Sequence, residues 1–322
     1  MSATGLPLPD APGPPGSGGR SEPVGRHDRA GEHYRATGVI RSEWTKLRSV
    51  RSTMWSLLVT VVLTIGIGIL ATSVVASRWT RLDIVDRLTF DPVRQSLTGL
   101  LFAQLALGVL GVLVVSAEYG TGTIRSTLAA VPNRPLVLAS KVAVFGTVAL
   151  VVSEIVSFGA FAIGQAILRG STPSATLSTP GALRAVVGGG IYLTVLGLLA
   201  LGLAAVIRHT AGAISAFVGV LLILPLIVQA LPTSVVDAVG KYLPANIGVT
   251  MTSLRPRLSE HDFGPWVGLA ILGGYALLAL LAGGLLMVRR DACPRRPRPR
   301  AARAARSPGP EPTETEAEDH CW

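Results

Sequence analysis

Apolar positions dominate this chain in six long stretches, and the gaps between formal charges define them. No charge occurs between Arg51 and Arg78, nor between Arg94 and Glu118. The run from Val142 to Leu168 is broken only by Glu154, and three more lie between Arg184 and Arg208, Arg208 and Asp237, and Asp262 and Arg289. A helix rises about 1.5 Å per residue, so roughly 20 apolar residues cross the roughly 30 Å hydrocarbon layer. A water-soluble helix rarely stays apolar on every side for so long. The pattern predicts an all-α polytopic membrane protein with six transmembrane helices, at about 54–76, 96–117, 142–168, 185–207, 212–232 and 265–288. The strict alternation of a membrane β-barrel is missing. Pro225 is expected to kink the fifth span, and Pro244 to end a surface helix between the fifth and sixth.

Composition and charge then set the orientation. The 322 residues are 49% hydrophobic and 15% charged, with a formal charge of +10. Of the 29 Lys and Arg, 20 fall before the first span, between alternate spans and after the last, against 9 on the other side. Basic residues collect on the cytoplasmic side, so both termini are expected there. Residues 1–36 and 291–322 are rich in Pro and charge without apolar periodicity, and read as disordered cytoplasmic tails. The first apolar run begins too deep for a cleavable signal peptide. Arginines beside a span bind anionic lipid in preference to nucleic acid. Two cysteines, Cys293 and Cys321, imply no disulfide framework.

Two cytoplasmic segments carry a further pattern. Before span one, Ile40, Trp44, Leu47, Val50 and Met54 recur at helical spacing, with Arg41, Thr45, Arg48 and Ser52 opposite. This predicts an amphipathic helix in the membrane interface. After span two comes Glu118-Tyr119-x-x-Gly122-Thr123-Ile124-Arg125-x-Thr127-Leu128, followed by Pro132 and Pro135, which predicts a turn and a short helix over Thr123–Ala130.

This second motif, placed after a second span, resembles the permease subunits of type-2 ABC (ATP-binding cassette) transporters. Arg41-Ser42-Glu43-Trp44-Thr45-Lys46-Leu47-Arg48 resembles the start of actinobacterial members of that family. The resemblance covers roughly residues 37–290. It implies that Thr123–Ala130 is a coupling helix docking into an ATPase subunit, with Glu118, Gly122, Thr123, Ile124, Arg125, Thr127 and Leu128 as its contact and hinge residues. It implies that Arg41, Glu43, Trp44, Lys46, Leu47 and Arg48 belong to a connecting helix beside it. A bacterial cytoplasmic-membrane location, outward transport and pairing with a second permease copy or paralogue follow from the same resemblance.

The chain itself carries no nucleotide chemistry. Its lysines, Lys46, Lys141 and Lys241, are followed by Leu, Val and Tyr, so none is the lysine of a phosphate-binding loop. ATP and Mg are therefore expected on a separate ATPase chain, with no cofactor, metal or catalytic residue here. The five histidines are scattered without metal-binding spacing. Within the spans, Glu154 and Gln104 stand out, with Gln165. A mid-span carboxylate costs about 2.5–3.5 kcal/mol to insert. It either faces a pathway or hydrogen-bonds a neighbouring helix. The rival to a permease is a non-transporting membrane anchor, sensor or assembly factor.

Overall fold

The computed structural model describes residues 36–49, 51–124, 134–254 and 263–290. Every regular element among them is helical. Helix α1 (Ala36–Ser49) precedes α2 (Arg51–Arg78), and two short helices, α3 (Ile84–Leu88) and α4 (Pro92–Ser96), lead into α5 (Leu100–Thr121). Then follow α6 (Arg134–Leu168), α7 (Ala182–Ile207), α8 (Thr210–Val218), α9 (Leu224–Gln229), α10 (Thr233–Val239), α11 (Pro244–Thr252) and α12 (Pro265–Arg290). Six spans are long and apolar enough to cross a membrane: α2, α5, α6, α7, the α8–α9 pair and α12.

Apolar sequence alone does not say which helix is central, because lipid accepts apolar side chains as readily as protein does. Burial does. In α7, 67% of the apolar window is enclosed by protein, against 22% in α2 and 22% in α12. Helix α7 packs against α5, α6 and α12 together. Small residues permit this. A methyl group on Gly202 would lie 2.8 Å from the side chain of Ala279, and one on Gly283 would lie 2.6 Å from that of Ala205. The backbones of α7 and α12 thus meet through glycine and alanine, as helices associate in lipid.

The fifth span breaks where its proline falls. Gly219–Ile223 form a π turn immediately before α9, and Pro225 occupies the first turn of α9. A proline lacks an N–H and its ring collides with the carbonyl four residues earlier, a conflict that the wider turn relieves. Beyond this span the structure continues in short helical pieces. It forms α10, a 3-10 turn at Gly240–Tyr242, and α11. Pro244 begins α11 and does not simply end what precedes it, because a first-turn N–H has no intrahelical partner to lose.

Helix α11 lies on the first half of α7 and is fastened by charged groups. Arg184 donates to the carbonyls of Met251 (3.1 Å), Ser253 (2.7 Å) and Leu254 (3.3 Å). Asp91 accepts from the amides of Val93 and Arg94, capping α4, and from that of Leu254 at 2.6 Å. Gln165 is 2% exposed and fully engaged. Its Nε2 donates to the Pro92 carbonyl and Ser96 Oγ, while its Oε1 accepts from the Ala175 amide.

Candidate coupling junction

At the other end of the bundle, α5 stops at a residue chosen by backbone geometry. Gly122 adopts a left-handed conformation with φ 73°, and its amide returns to the Tyr119 carbonyl at 3.3 Å. Residues other than glycine are strained there. Thr121 Oγ1 bonds the Ala117 carbonyl and lies 2.9 Å from Thr123 Oγ1. Ile124 is only 8% exposed and joins the apolar core. Arg125, Thr127 and Leu128, and with them most of the helix expected over Thr123–Ala130, lie outside the described residues.

Four charges converge beside this turn. Lys141 Nζ, on α6, lies 2.6 Å from Glu43 Oε2 of α1 and 2.6 Å from Glu118 Oε1 of α5. Lys46 Nζ lies 2.8 Å from Glu43 Oε1 and 3.1 Å from Glu118 Oε1. Two carboxylates and two ammoniums balance. Burial makes the balance matter: the Lys141 and Glu43 side chains are 3% and 5% exposed, Glu118 14% and Lys46 42%. Buried charges are tolerated only when paired and hydrogen-bonded. For Lys46, burial disfavours the ammonium, but the hydrogen bond and charge of Glu43, joined by Glu118, outweigh it and hold its pKa above 10.5. The network ties α1 to both helices that flank the 122–133 connection.

Helix α1 also carries an inward stripe. Val39 and Glu43 turn into the protein at 7% and 4% exposure, whereas Ile40 and Trp44 remain 41% and 48% exposed. Leu47 is half-buried, and Arg41 and Arg48 are exposed; Val50 lies outside the described residues. An acidic side chain thus occupies the inward stripe because a buried lysine waits for it. Lys141 is the member that sequence reasoning passes over. Its signal was a lone lysine at the mouth of an apolar span, facing a lone glutamate at the end of the preceding one.

A second contact stands near this end. Arg208 joins α7 to α8 with a positive φ of 60°, and its guanidinium lies 5.2 Å from the centre of the Tyr119 ring, within cation–π range. His209 caps α8 by accepting from the Gly212 amide at 3.2 Å.

The intramembrane candidates are held separately. Glu154 of α6 packs against bare backbone on α7: a methyl group on Gly190 would fall 2.5 Å from its Cδ. Its buried Oε2 makes no hydrogen bond among the described residues. Gln104 of α5 is 3% exposed, and its Oε1 accepts from Tyr192 Oη at 2.9 Å. Among the described residues, no group of three or more His, Cys, Asp or Glu could hold a metal.

Comparison with known families fits this architecture. The profile of a family described as "ABC-2 family transporter protein" matches residues 39–226, more than half of the chain. The chain belongs to this ABC-2 transporter family. The match begins in α1 and runs into α9, so it takes in every member of the charged junction. This ABC-2 protein is therefore a multi-pass membrane permease, a non-catalytic component of a transporter, of a family that works with a cytoplasmic ATPase. No curated protein matches the chain.

Proposed function

We propose that this ABC-2 permease couples ATP hydrolysis on a separate cytoplasmic ATPase chain to outward movement of a substrate across a bacterial cytoplasmic membrane. The observation that carries this reading is the buried Glu43–Lys141–Glu118–Lys46 network. A push on the 122–133 connection reaches α5 and α6 directly, and the network passes it to α1. Helix α6 has 35 residues and so rises roughly 50 Å, well beyond the roughly 30 Å hydrocarbon layer. Its first turns thus stand clear of the lipid, where a soluble partner can reach them.

In this reading both termini are cytoplasmic and α1 lies along the membrane interface. Exposed Ile40 and Trp44 beside exposed Arg41 and Arg48 are what such a helix offers to acyl chains and anionic head groups. Arg125, Thr127 and Leu128 complete the ATPase contact, ATP and Mg reside on that partner, and a second permease copy or paralogue completes the membrane unit. Thr123→Pro and Arg125→Glu test the reading. Each is expected to abolish co-purification with the ATPase while the permease remains in the membrane. Unchanged co-purification in both would remove the coupling assignment.

A further inference from the structure

At the end of the bundle opposite the charged junction, a cavity of about 350 Å³ opens between α4, α5, α7, α9 and α11. Its volume falls within the range of roughly 300–1,000 Å³ found for small-molecule sites. Leu97, Leu100, Leu101, Pro225 and Val249 make much of its wall apolar. Thr98, Gln229, Asn246 and Thr252 can donate or accept, whereas Gln104 and Arg94 present donors alone.

Gln104 lines the cavity and is only 3% exposed. Its carbonyl oxygen is already taken by Tyr192 Oη at 2.9 Å, and its amide nitrogen makes no hydrogen bond among the described residues. The amide is planar, so engaging its acceptor leaves its donor end to a ligand. Tyr192 is held in turn by Gly248 of α11, where a methyl group would fall 2.4 Å from the ring. The floor is therefore preorganised to donate. Arg94, exposed on α4, also lines the cavity and forms no ion pair among the described residues. No acidic side chain lines it.

We propose that this cavity binds an amphipathic anion: an acidic group on Arg94, an apolar body against the leucines, and a further hydrogen-bond acceptor on Gln104. Calling that anion transported cargo rests on the transporter reading, but its binding does not. A guanidinium and a free amide lining one cavity, with no carboxylate to compete, select a negatively charged acceptor over a neutral or cationic one.

The test uses the full chain in nanodiscs of zwitterionic lipid, without ATPase or nucleotide. The probe is dansyl-undecanoic acid, which joins a carboxylate and an alkyl chain to sulfonyl acceptors; its methyl ester is the neutral comparison. Fluorescence titration, corrected with empty discs, is expected to show the acid binding about tenfold more tightly than the ester. Arg94→Gln, an exposed and structurally mild change, is expected to erase that preference. Leu101→Trp, which fills the cavity from a position 51% exposed, is expected to block both probes. Equal affinity for acid and ester in the unaltered chain would overturn the proposal. So would a preference that survives Arg94→Gln, or binding that survives Leu101→Trp. Such a failure leaves the coupling reading intact, since no ATPase takes part, and loss of the ATPase partner leaves the binding result intact.

Discussion

Removing Lys141 probes the junction where it is most enclosed. The Lys141→Met change keeps the length of the side chain but deletes the ammonium that holds Glu43 and Glu118 at 2.6 Å each. Lys46 remains, but its side chain is 42% exposed and its contact with Glu118 is 3.1 Å. One carboxylate is thus left buried and poorly compensated. Breaking a buried pair in this way costs about 3–5 kcal/mol, most of it the penalty of the stranded charge. For a chain of 322 residues each kcal/mol moves a thermal midpoint by about 1.5 °C, so a fall of roughly 4–8 °C is expected. The assay is thermal unfolding of the detergent-solubilised protein for Lys141→Met, Glu43→Gln and the double variant. In the double variant Glu118 and Lys46 still balance, so at least half of the loss from Lys141→Met is expected to return. A double variant that falls as far as the two single changes together would refute the idea that these charges are energetically coupled.

Other outcomes follow from the same geometry. The pKa of Lys46 is raised above 10.5 by its carboxylate partners, so its stabilising effect is complete below 10.5 and fades as pH climbs through the raised value. Unfolding followed across alkaline pH is expected to show that Lys46→Arg keeps stability beyond the point at which the unaltered chain loses it. Gly122→Ala forces a side chain into φ 73° and is expected to cost about 1 kcal/mol, with Gly122→Asn milder, in the same thermal assay. Asp91→Ala removes the acceptor for three amides, including that of Leu254, and is expected to cost about 1–3 kcal/mol. Faster proteolysis around residue 254 would show that the loss is at that tether. Gly202→Leu has no room against Ala279 and is expected to separate α12 from α7, read as loss of a cross-link between cysteines placed on those helices.

The six spans were legible because hydrophobicity is a one-dimensional property: a charge-free run of sufficient length has few alternatives to a membrane helix. The position of α7 at the centre was not, since its glycines and those of α2 look alike until partners are known. Glu118 and Gly122 could be picked out from an ordered motif, one as a charge at a span end and the other as a turn former. Lys141 could not, because its role depends on Glu43, 98 residues away in sequence. The inward stripe of α1 was not legible for a related reason. Periodicity picks out Ile40 and Trp44 as one apolar stripe, but it gives no sign that ion pairing draws Glu43 inward. Pro244 likewise reads as a helix terminator until the chain on its far side is seen to coil against α7. Gln104 and Gln165 are alike in sequence, yet Gln165 is saturated by α4 and the Ala175 amide while Gln104 keeps a free donor end.

Chemical footprinting of the junction shows whether a partner ATPase seats on it. With Cys293 and Cys321 changed to serine, Thr121→Cys places a single thiol at an exposed position beside Gly122, and Ser171→Cys places one at an exposed position on the opposite end. Maleimide labelling of each is measured in permeabilised membranes with and without the partner ATPase. The ATPase is expected to slow modification at position 121 several-fold while leaving position 171 unchanged. Equal labelling at position 121 in its presence and absence would contradict the claim that force enters this permease through the α5–α6 connection.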